Sequence, residues 1–174
     1  MNIQEGFKID EPGIFIPWGI DEHMLTQKLN GHGYNHVTTG YYTISCKSLN
    51  GLNCMLGFHF EPRKDGFLNE LEFFRTDYSD PGKSFTEFQS YFEAEFGKPT
   101  LEANGNEGFK NYAWNLDTVQ IVHYVFDRFG PEEHMRIKKI NKSESTTTAK
   151  SKRADSIKRN DNIVTNLWSR LIGK

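Results

Sequence analysis

The sequence contains few cysteines, no long apolar run and none of the usual catalytic motifs. Only two of its 174 residues are cysteine, which excludes a small scaffold held together by disulfides. No apolar run approaches the roughly 20 residues that a membrane-spanning helix needs. The first residues also lack the basic-then-apolar plan of a secretory signal. We therefore expect a protein of the reducing cytoplasm.

Motifs for nucleotide binding, nucleophilic catalysis and metal binding are absent as well. No G-x-S-x-G, G-x-x-x-x-G-K-S/T or G-x-G-x-x-G occurs in the chain. The six histidines form no H-E-x-x-H and no pair on one helix face, and there is no C-x-x-C. The sequence therefore predicts no metal site, no cofactor and no enzymatic activity.

What the chain does have is a rich supply of aromatic residues and an uneven charge. All 14 Phe and 7 Tyr lie in residues 1–140, which carry 20 acidic and 13 basic side chains. The remaining 34 residues carry 3 acidic and 8 basic side chains. We expect an acidic folded domain over residues 1–140 and a polar linker over 141–152, followed by a basic tail over 153–174.

The basic tail has the apolar spacing of an amphipathic helix. Its apolar stripe consists of Ile163, Val164, Leu167, Trp168, Leu171 and Ile172. Such a helix could dock on the acidic domain, fill a groove in a partner or lie on an anionic membrane surface. Membrane contact is expected only through this helix.

In the first half of the domain, the hydrophobic period predicts one helix followed by three strands. A short helix over Asp21–Leu29 has Asp21 as its N-cap. Alternating apolar residues predict strands over residues 41–47, 54–60 and 67–76.

The second half shows the same order of predicted elements. Ser84 and Glu87 form a capping box for a helix that ends at Gly97. Strands are predicted over residues 111–116, 119–127 and 134–140.

Together these elements predict an α+β fold. We expect a mainly antiparallel sheet of about six strands with helices on one face, plus the C-terminal amphipathic helix. Two arrangements fit the order: a tandem αβββ repeat, or one continuous meander without duplication.

The Asn50-Gly51 turn leaves two registers open for the cysteines. If these two residues form the loop, Cys46 faces Met55 and the thiols lie on opposite faces of the sheet. If the loop has three residues centred on Asn50, Cys46 faces Cys54 directly. Free, buried thiols are the expectation.

Carboxylates recur at the ends of predicted strands in both halves, where they would form one negative patch if the halves correspond. Such a patch would steer a basic partner and repel the phosphates of nucleic acids, so nucleic-acid binding is not expected. With the neighbouring aromatics, the predicted partner-binding residues are Glu70, Glu72, Phe74, Asp77, Asp80, Trp114, Asp127, Glu132 and Glu133.

Six short motifs between residues 58 and 133 carry a resemblance to other proteins. They are Phe58-His59-Phe60, Leu71-Glu72-Phe73-Phe74-Arg75, Ser84-Phe85-x-x-Phe88-Gln89, Phe96-Gly97-Lys98-Pro99, Tyr112-x-Trp114 and Asp127-Arg128-Phe129-Gly130-Pro131-Glu132-Glu133. In these motifs the chain resembles small bacterial α+β proteins that are similar to immunity proteins of polymorphic toxin systems. The resemblance implies a non-enzymatic protein of bacterial competition that binds a cognate toxin domain, such as a basic nuclease, and occludes its active site.

Two other functions are consistent with the sequence. A small hydrolase or ligand-binding domain could use His123, Trp114, Glu70 and Glu72 on an exposed sheet face. An adaptor or chaperone could hold a client through the tail helix. The sequence indicates no particular oligomeric state.

Overall fold

A computed structural model describes residues 1–61, 66–76, 81–105, 108–127 and 131–140. The predicted linker and tail helix, residues 141–174, lie outside this part of the chain. The elements in chain order are β1 (Gly6–Glu11), β2 (Ile14–Pro17), α1 (Glu22–Leu29), β3 (Asn35–Thr38), β4 (Tyr41–Ser48), β5 (Leu52–Phe60), β6 (Leu68–Phe74), α2 (Pro81–Phe96), β7 (Leu101–Asn104), β8 (Lys110–Leu116), β9 (Val119–Asp127) and β10 (Pro131–Lys139).

The predicted fold class, about six strands with helices on one face, is wrong. Within the described residues the chain forms a single ten-stranded sheet and two helices of 8 and 16 residues. The missed strands β1, β2, β3 and β7 have only four to six residues each. All four residues of β3 are exposed, so no apolar alternation marks it. Strand β3 therefore lacks the two-residue hydrophobic period on which the prediction relied. Strand β1 has that period, because the buried Phe7 and Ile9 alternate with Lys8 and Asp10, and the prediction missed it.

The sheet consists of two antiparallel meanders, β3–β6 and β7–β10, joined in the middle, and the β1–β2 hairpin is added to the first through the pairing of β1 with β4. Its strand order is β2-β1-β4-β5-β6-β10-β9-β8-β7, and β3 also pairs with β4. Each helix is followed by four strands, so the predicted αβββ unit is one strand too short. The meanders meet where β6 pairs with β10, with Phe73 opposite Met135 and Leu71 opposite Ile137. No short loop connects these two strands, so their pairing is a long-range contact.

The two helices predicted within residues 1–140 are present and have recognisable ends. The Asp21 carboxylate caps α1 and accepts a hydrogen bond from the Met24 amide at 2.7 Å, as its N-cap position predicts. Helix α2 begins at Pro81, earlier than the predicted capping box at Ser84, because proline is well suited to a first helical turn. Gly97 ends α2 with φ +77°, a conformation that favours glycine.

The β4–β5 hairpin has a three-residue loop, which settles the register of the cysteines. Ser48 pairs with Leu52, and Leu49, Asn50 and Gly51 between them all have positive φ. The two-residue alternative is therefore wrong, and Cys46 lies directly opposite Cys54. Both cysteines are free thiols, and Cys54 is buried as expected, whereas Cys46 is partly exposed.

The main core lies on one face of the sheet, which we call the inner face and define by Leu56, Phe73, Ile121, Trp114 and Met135. Helix α2 contributes Phe92 to this core. The Phe92 ring packs edge-on against Phe73 at 5.3 Å and lies 6.1 Å from the Trp114 ring. Trp114 is fully buried, and its indole N–H donates to the Gly97 carbonyl at 2.7 Å. This hydrogen bond ties the end of α2 to strand β8.

Neither helix of the described residues is both long enough and apolar enough to cross a membrane.

Removal of the Phe92 ring should be among the costliest single changes in the core. Phe92→Ala is expected to lower the free energy of unfolding by about 3–5 kcal/mol, because the ring is fully buried and leaves a cavity between Phe73 and Trp114. Urea unfolding measures the loss. The matched control is Phe15→Ala, since Phe15 is 44% exposed and should cost less than about 1 kcal/mol. Equal losses for both variants would contradict this account of the core.

Candidate functional site

Opposite the core, the sheet presents a second face on which polar and aromatic side chains lie in rows across the strands. We call it the outer face, and we define it by Tyr41, Ser45, His59, Glu72 and Arg136. Strand register determines these rows, because side chains at alternate positions point to the same face. One row passes from Thr43 through Gly57 and Glu72 to Arg136.

Glu72 lies at the centre of the outer face and has polar partners on both neighbouring strands. Its Oε2 lies 2.8 Å from the His59 Nε2 on β5, and its Oε1 accepts a hydrogen bond from the Arg136 Nη2 on β10 at 2.8 Å. The other terminal nitrogen of Arg136 donates to Glu70 Oε1, also at 2.8 Å. The ring of His134 lies 3.8 Å from Glu72. The guanidinium of Arg136 thus bridges two carboxylates of β6.

Two tyrosines flank these charges and stack on the histidines. The rings of Tyr41 and His59 have centroids 4.4 Å apart and are 22° from parallel. The rings of Tyr124 and His134 are 5.2 Å apart and 12° from parallel. We call the seven side chains the Glu72 cluster: Tyr41, His59, Glu70, Glu72, Tyr124, His134 and Arg136.

Gly57 makes room for the Tyr41 ring in this arrangement. A Cβ atom built on Gly57 would lie 2.9 Å from Cε2 of Tyr41 and 3.3 Å from the Phe74 ring. Any larger residue at position 57 would therefore displace Tyr41 from its place beside His59. The glycine is required by this close approach and not by a special backbone angle.

The electrostatics of the Glu72 cluster favour a charged carboxylate. Burial by itself raises the pKa of Glu72, but the contacts with His134 and His59 and the charge of Arg136 outweigh it. The result is a pKa of Glu72 well below its usual range. Burial and the charge of Glu72 raise the pKa of Tyr41 to about 12, so its hydroxyl remains protonated and able to donate.

A second polar group lies on the inner face, sealed in the core beside α2. Its centre is His123, which is fully buried and stacks on the Phe85 ring at 4.0 Å. His123 Nε2 lies 2.6 Å from Glu133 Oε1, and the other oxygen of Glu133 lies 2.6 Å from Arg75 Nε. Gln89 of α2 contacts the remaining ring nitrogen at 2.8 Å. We call these four side chains the His123 chain: Gln89, His123, Glu133 and Arg75.

Burial decides the charge of His123. It lowers the pKa of the imidazole, and this effect is larger than the opposing attraction of Glu133. Both ring nitrogens face acceptors, Nε2 the Glu133 carboxylate and Nδ1 the Oε1 of Gln89, so a neutral ring can donate a hydrogen bond to only one of them at a time. The His123 chain is thus a hydrogen-bonded group inside the core, with an Arg75–Glu133 ion pair at one end.

The structure separates the carboxylates that the sequence placed in one negative patch. Glu70 and Glu72 lie on the outer face, where Arg136 binds both. Glu133 lies on the inner face, and its side chain is only 5% exposed. These three carboxylates have cationic or imidazole partners and do not merge into one surface.

The other predicted contact residues have different positions. Phe74 is partly exposed at the end of β6, whereas Trp114 is fully buried in the core. Asp127 and Glu132 belong to β9 and β10, but their side chains lie outside the described part of the chain. Asp77 and Asp80 also lie outside it.

Sequence reasoning missed the cationic partners of these carboxylates. Neither Arg136 nor Arg75 is among the residues that the sequence predicts to act at the site. One signal was available: Glu70-x-Glu72 and Arg136-x-Lys138 have the same two-residue spacing with opposite charge, as expected for strands that pair. That pairing places Arg136 opposite Glu72 and Lys138 opposite Glu70.

The described residues contain no set of side chains that could bind a metal ion. No group of three or more His, Cys, Asp or Glu side chains there is arranged to hold an ion.

Glu72→Gln should destabilise the protein at neutral pH and much less in acid. Since the folded-state pKa of Glu72 is depressed, its stabilisation is present above the unfolded value of about 4.3 and is lost as the pH falls below it. Near pH 7 we expect a loss of about 1.5–3 kcal/mol in the free energy of unfolding, typical of hydrogen bonds to a buried charge. Urea unfolding from pH 7 to pH 3 measures the difference.

The matched control is Glu102→Gln, because the Glu102–Lys110 ion pair is exposed and should add little stability. A loss for Glu72→Gln that stays constant down to pH 3 would contradict a charged Glu72.

His123→Gln should change the pH dependence of stability at higher pH than Glu72→Gln does, between pH 8 and pH 5. The folded-state pKa of His123 is lowered, so only the unfolded chain binds a proton when the pH first falls below about 6.5. The wild type should therefore lose stability from pH 6.5 downwards, with a slope of up to about 1.4 kcal/mol per pH unit from this group. Urea unfolding between pH 8 and pH 5 should show a smaller slope for His123→Gln.

His32→Gln is the control for that experiment, because His32 is exposed. It should keep the wild-type slope. A wild type that gains stability relative to His123→Gln as the pH falls would instead indicate a charged imidazolium paired with Glu133.

Comparison with known proteins gives little guidance. No protein-family model matches the sequence, and no curated protein is significantly similar to it. One solved structure that is similar is a DUF4309 family protein (YjgB) from Bacillus subtilis, with 10% sequence identity and a TM-score of 0.38. The match covers 68% of this chain and 78% of that one. A likeness this weak carries no conclusion about fold or function.

Proposed function

We propose that this protein binds a partner protein through the outer face of its sheet and transforms no substrate. The partner is a toxin domain of the kind that the resemblance to immunity proteins implies, and binding acts by occlusion. The observation that carries the proposal is the Glu72 cluster, in which aromatic and charged side chains are held in fixed positions on a face opposite the core.

The composition of the Glu72 cluster supports protein recognition. Tyrosine and arginine are the residue types, with tryptophan, that most often dominate the binding energy of protein interfaces. The side chains of His59 and Arg136 are 31% and 34% exposed, so a partner can reach them. Tyr41, which is partly exposed, adds flat apolar area at a small cost in conformational entropy.

Rigidity is the second support. Each ring of the cluster is stacked on another, and Arg136 is fixed by two carboxylates. Side chains that are already ordered lose less entropy when a partner binds, so more of the contact energy appears as affinity. A sheet face with this order is better suited to a specific partner than a set of mobile surface charges.

The paired charges change the electrostatic argument for such a partner. Two carboxylates and two cations, Arg136 and Lys138, balance one another across β6 and β10. The outer face therefore offers hydrogen bonds and stacking more than a negative potential. The excess of 20 acidic over 13 basic side chains in residues 1–140 still favours encounter with a basic partner, such as a nuclease-type toxin.

The alternative hydrolase or ligand-binding function depends on residues that do not meet. His123 and Trp114 are buried on the inner face, while Glu70 and Glu72 lie on the outer face. The described residues thus do not bring this set into one site. The adaptor or chaperone alternative depends on the tail helix, which lies outside them.

An added bulky charge on the outer face should weaken partner binding without disturbing the fold. Ser45 is exposed and lies opposite Met55, one row away from Glu72, so Ser45→Arg removes no buried contact. We expect binding at least tenfold weaker, which corresponds to about 1.4 kcal/mol. The partner to test is the product of the adjacent upstream gene, by rescue of growth on co-expression and by co-purification followed by titration calorimetry.

The matched control is Ser90→Arg, which adds the same charge at an exposed position of α2. It should bind like the wild type. Equal affinity for Ser45→Arg and the wild type would place the interface elsewhere, and failure of both rescue and co-purification for the wild type would reject the toxin partner.

A further inference from the structure

The two cysteines form a close thiol pair that the proposed binding face does not use. Cys46 on β4 and Cys54 on β5 are directly opposite in the register, and their Sγ atoms are 3.8 Å apart. Their side chains are on the inner face, next to the three-residue loop of the hairpin. In a disulfide the two sulfurs are about 2.05 Å apart, so the Sγ atoms would have to move closer by less than 2 Å.

The two thiols differ in their access to solvent. Cys54 is fully buried, whereas Cys46 is partly exposed. The hydrogen bond with Cys46, together with burial, raises the pKa of the Cys54 thiol. Cys54 therefore keeps its proton in the resting protein. Access identifies Cys46 as the thiol that reacts first.

We propose that Cys46 and Cys54 form a reversible oxidation site in which a low-molecular-weight disulfide converts the pair into a cross-strand disulfide. The geometry of the pair carries this inference: two thiols within 4 Å, fixed by strand register, with one of them open to a small oxidant. The site is independent of the outer face, so its failure would leave the binding proposal untouched.

The chemistry is two successive thiol–disulfide exchanges. The Cys46 thiolate attacks one sulfur of oxidised glutathione, forms a mixed disulfide and releases one glutathione thiolate. Cys54 then loses its proton to solvent and attacks the Sγ of Cys46, which releases the second glutathione. In total, two protein thiols are oxidised, and one glutathione disulfide is reduced to two glutathione molecules.

Mass spectrometry of the full chain tests this directly. After incubation of the native protein with oxidised glutathione, we expect the main product to have lost two hydrogen atoms and to carry no glutathione. Trypsin cleaves after Lys47, so the new bond should join the peptides 29–47 and 48–63. Dithiothreitol should restore both free thiols. An unreacted wild type, or one that accumulates stable glutathione adducts, would overturn the proposal.

Single variants test the order of the two steps. Cys54→Ser should stop at the mixed disulfide and retain one glutathione on Cys46. Cys46→Ser should react at least tenfold more slowly, because only the buried thiol remains. Equal adduct formation by the two variants under native conditions would contradict Cys46 as the attacking thiol. The wild-type peptide map decides the main proposal even if a variant fails to fold.

Discussion

The pairing of β6 with β10 is the contact on which the rest of the sheet depends. It joins the two meanders β3–β6 and β7–β10, within which each strand pairs with its neighbours in sequence, and it carries an ion pair on each face. On the outer face, Glu72 of β6 binds Arg136 of β10. On the inner face the charges are exchanged, because Arg75 follows β6 and Glu133 belongs to β10. A shift of one residue would bring each charge to the wrong face, so the two ion pairs favour a single register.

These ion pairs are better understood as determinants of register than as large sources of stability. Glu72 and Glu133 have side chains only 9% and 5% exposed, so each carboxylate has lost most of its hydration. The attraction of Arg136 or Arg75 then offsets a desolvation cost of several kcal/mol per ion. The net gain from such a pair is small, but removal of one partner leaves an uncompensated buried charge. Correct pairing of β6 and β10 is thereby favoured over any alternative.

Local features of the fold were predictable from the sequence, and long-range features were not. The cap at Asp21, the end of α2 at Gly97 and the β4–β5 hairpin follow from side-chain and backbone preferences within a few residues. Even there, the length of the hairpin loop remained open, because Asn50-Gly51 fits two turn types. Strand β3 escaped prediction, since an exposed strand needs no apolar alternation.

The candidate site was predictable only in part, because its residues on β6 follow from a local pattern and their partner on β10 does not. The sequence identified Glu70 and Glu72 as residues on one strand face, but their effect depends on β10, which lies more than 60 residues away in the chain. A carboxylate without its partner is interpreted as free surface charge, and seven such residues suggested a negative patch. Once Arg136 is opposite Glu72, two of these carboxylates, Glu70 and Glu72, orient a cation and two stacked histidine–tyrosine pairs. The partner strand, more than the number of carboxylates, therefore decides what an acidic strand does: whether it repels anions, attracts a basic protein or holds neighbouring side chains in place.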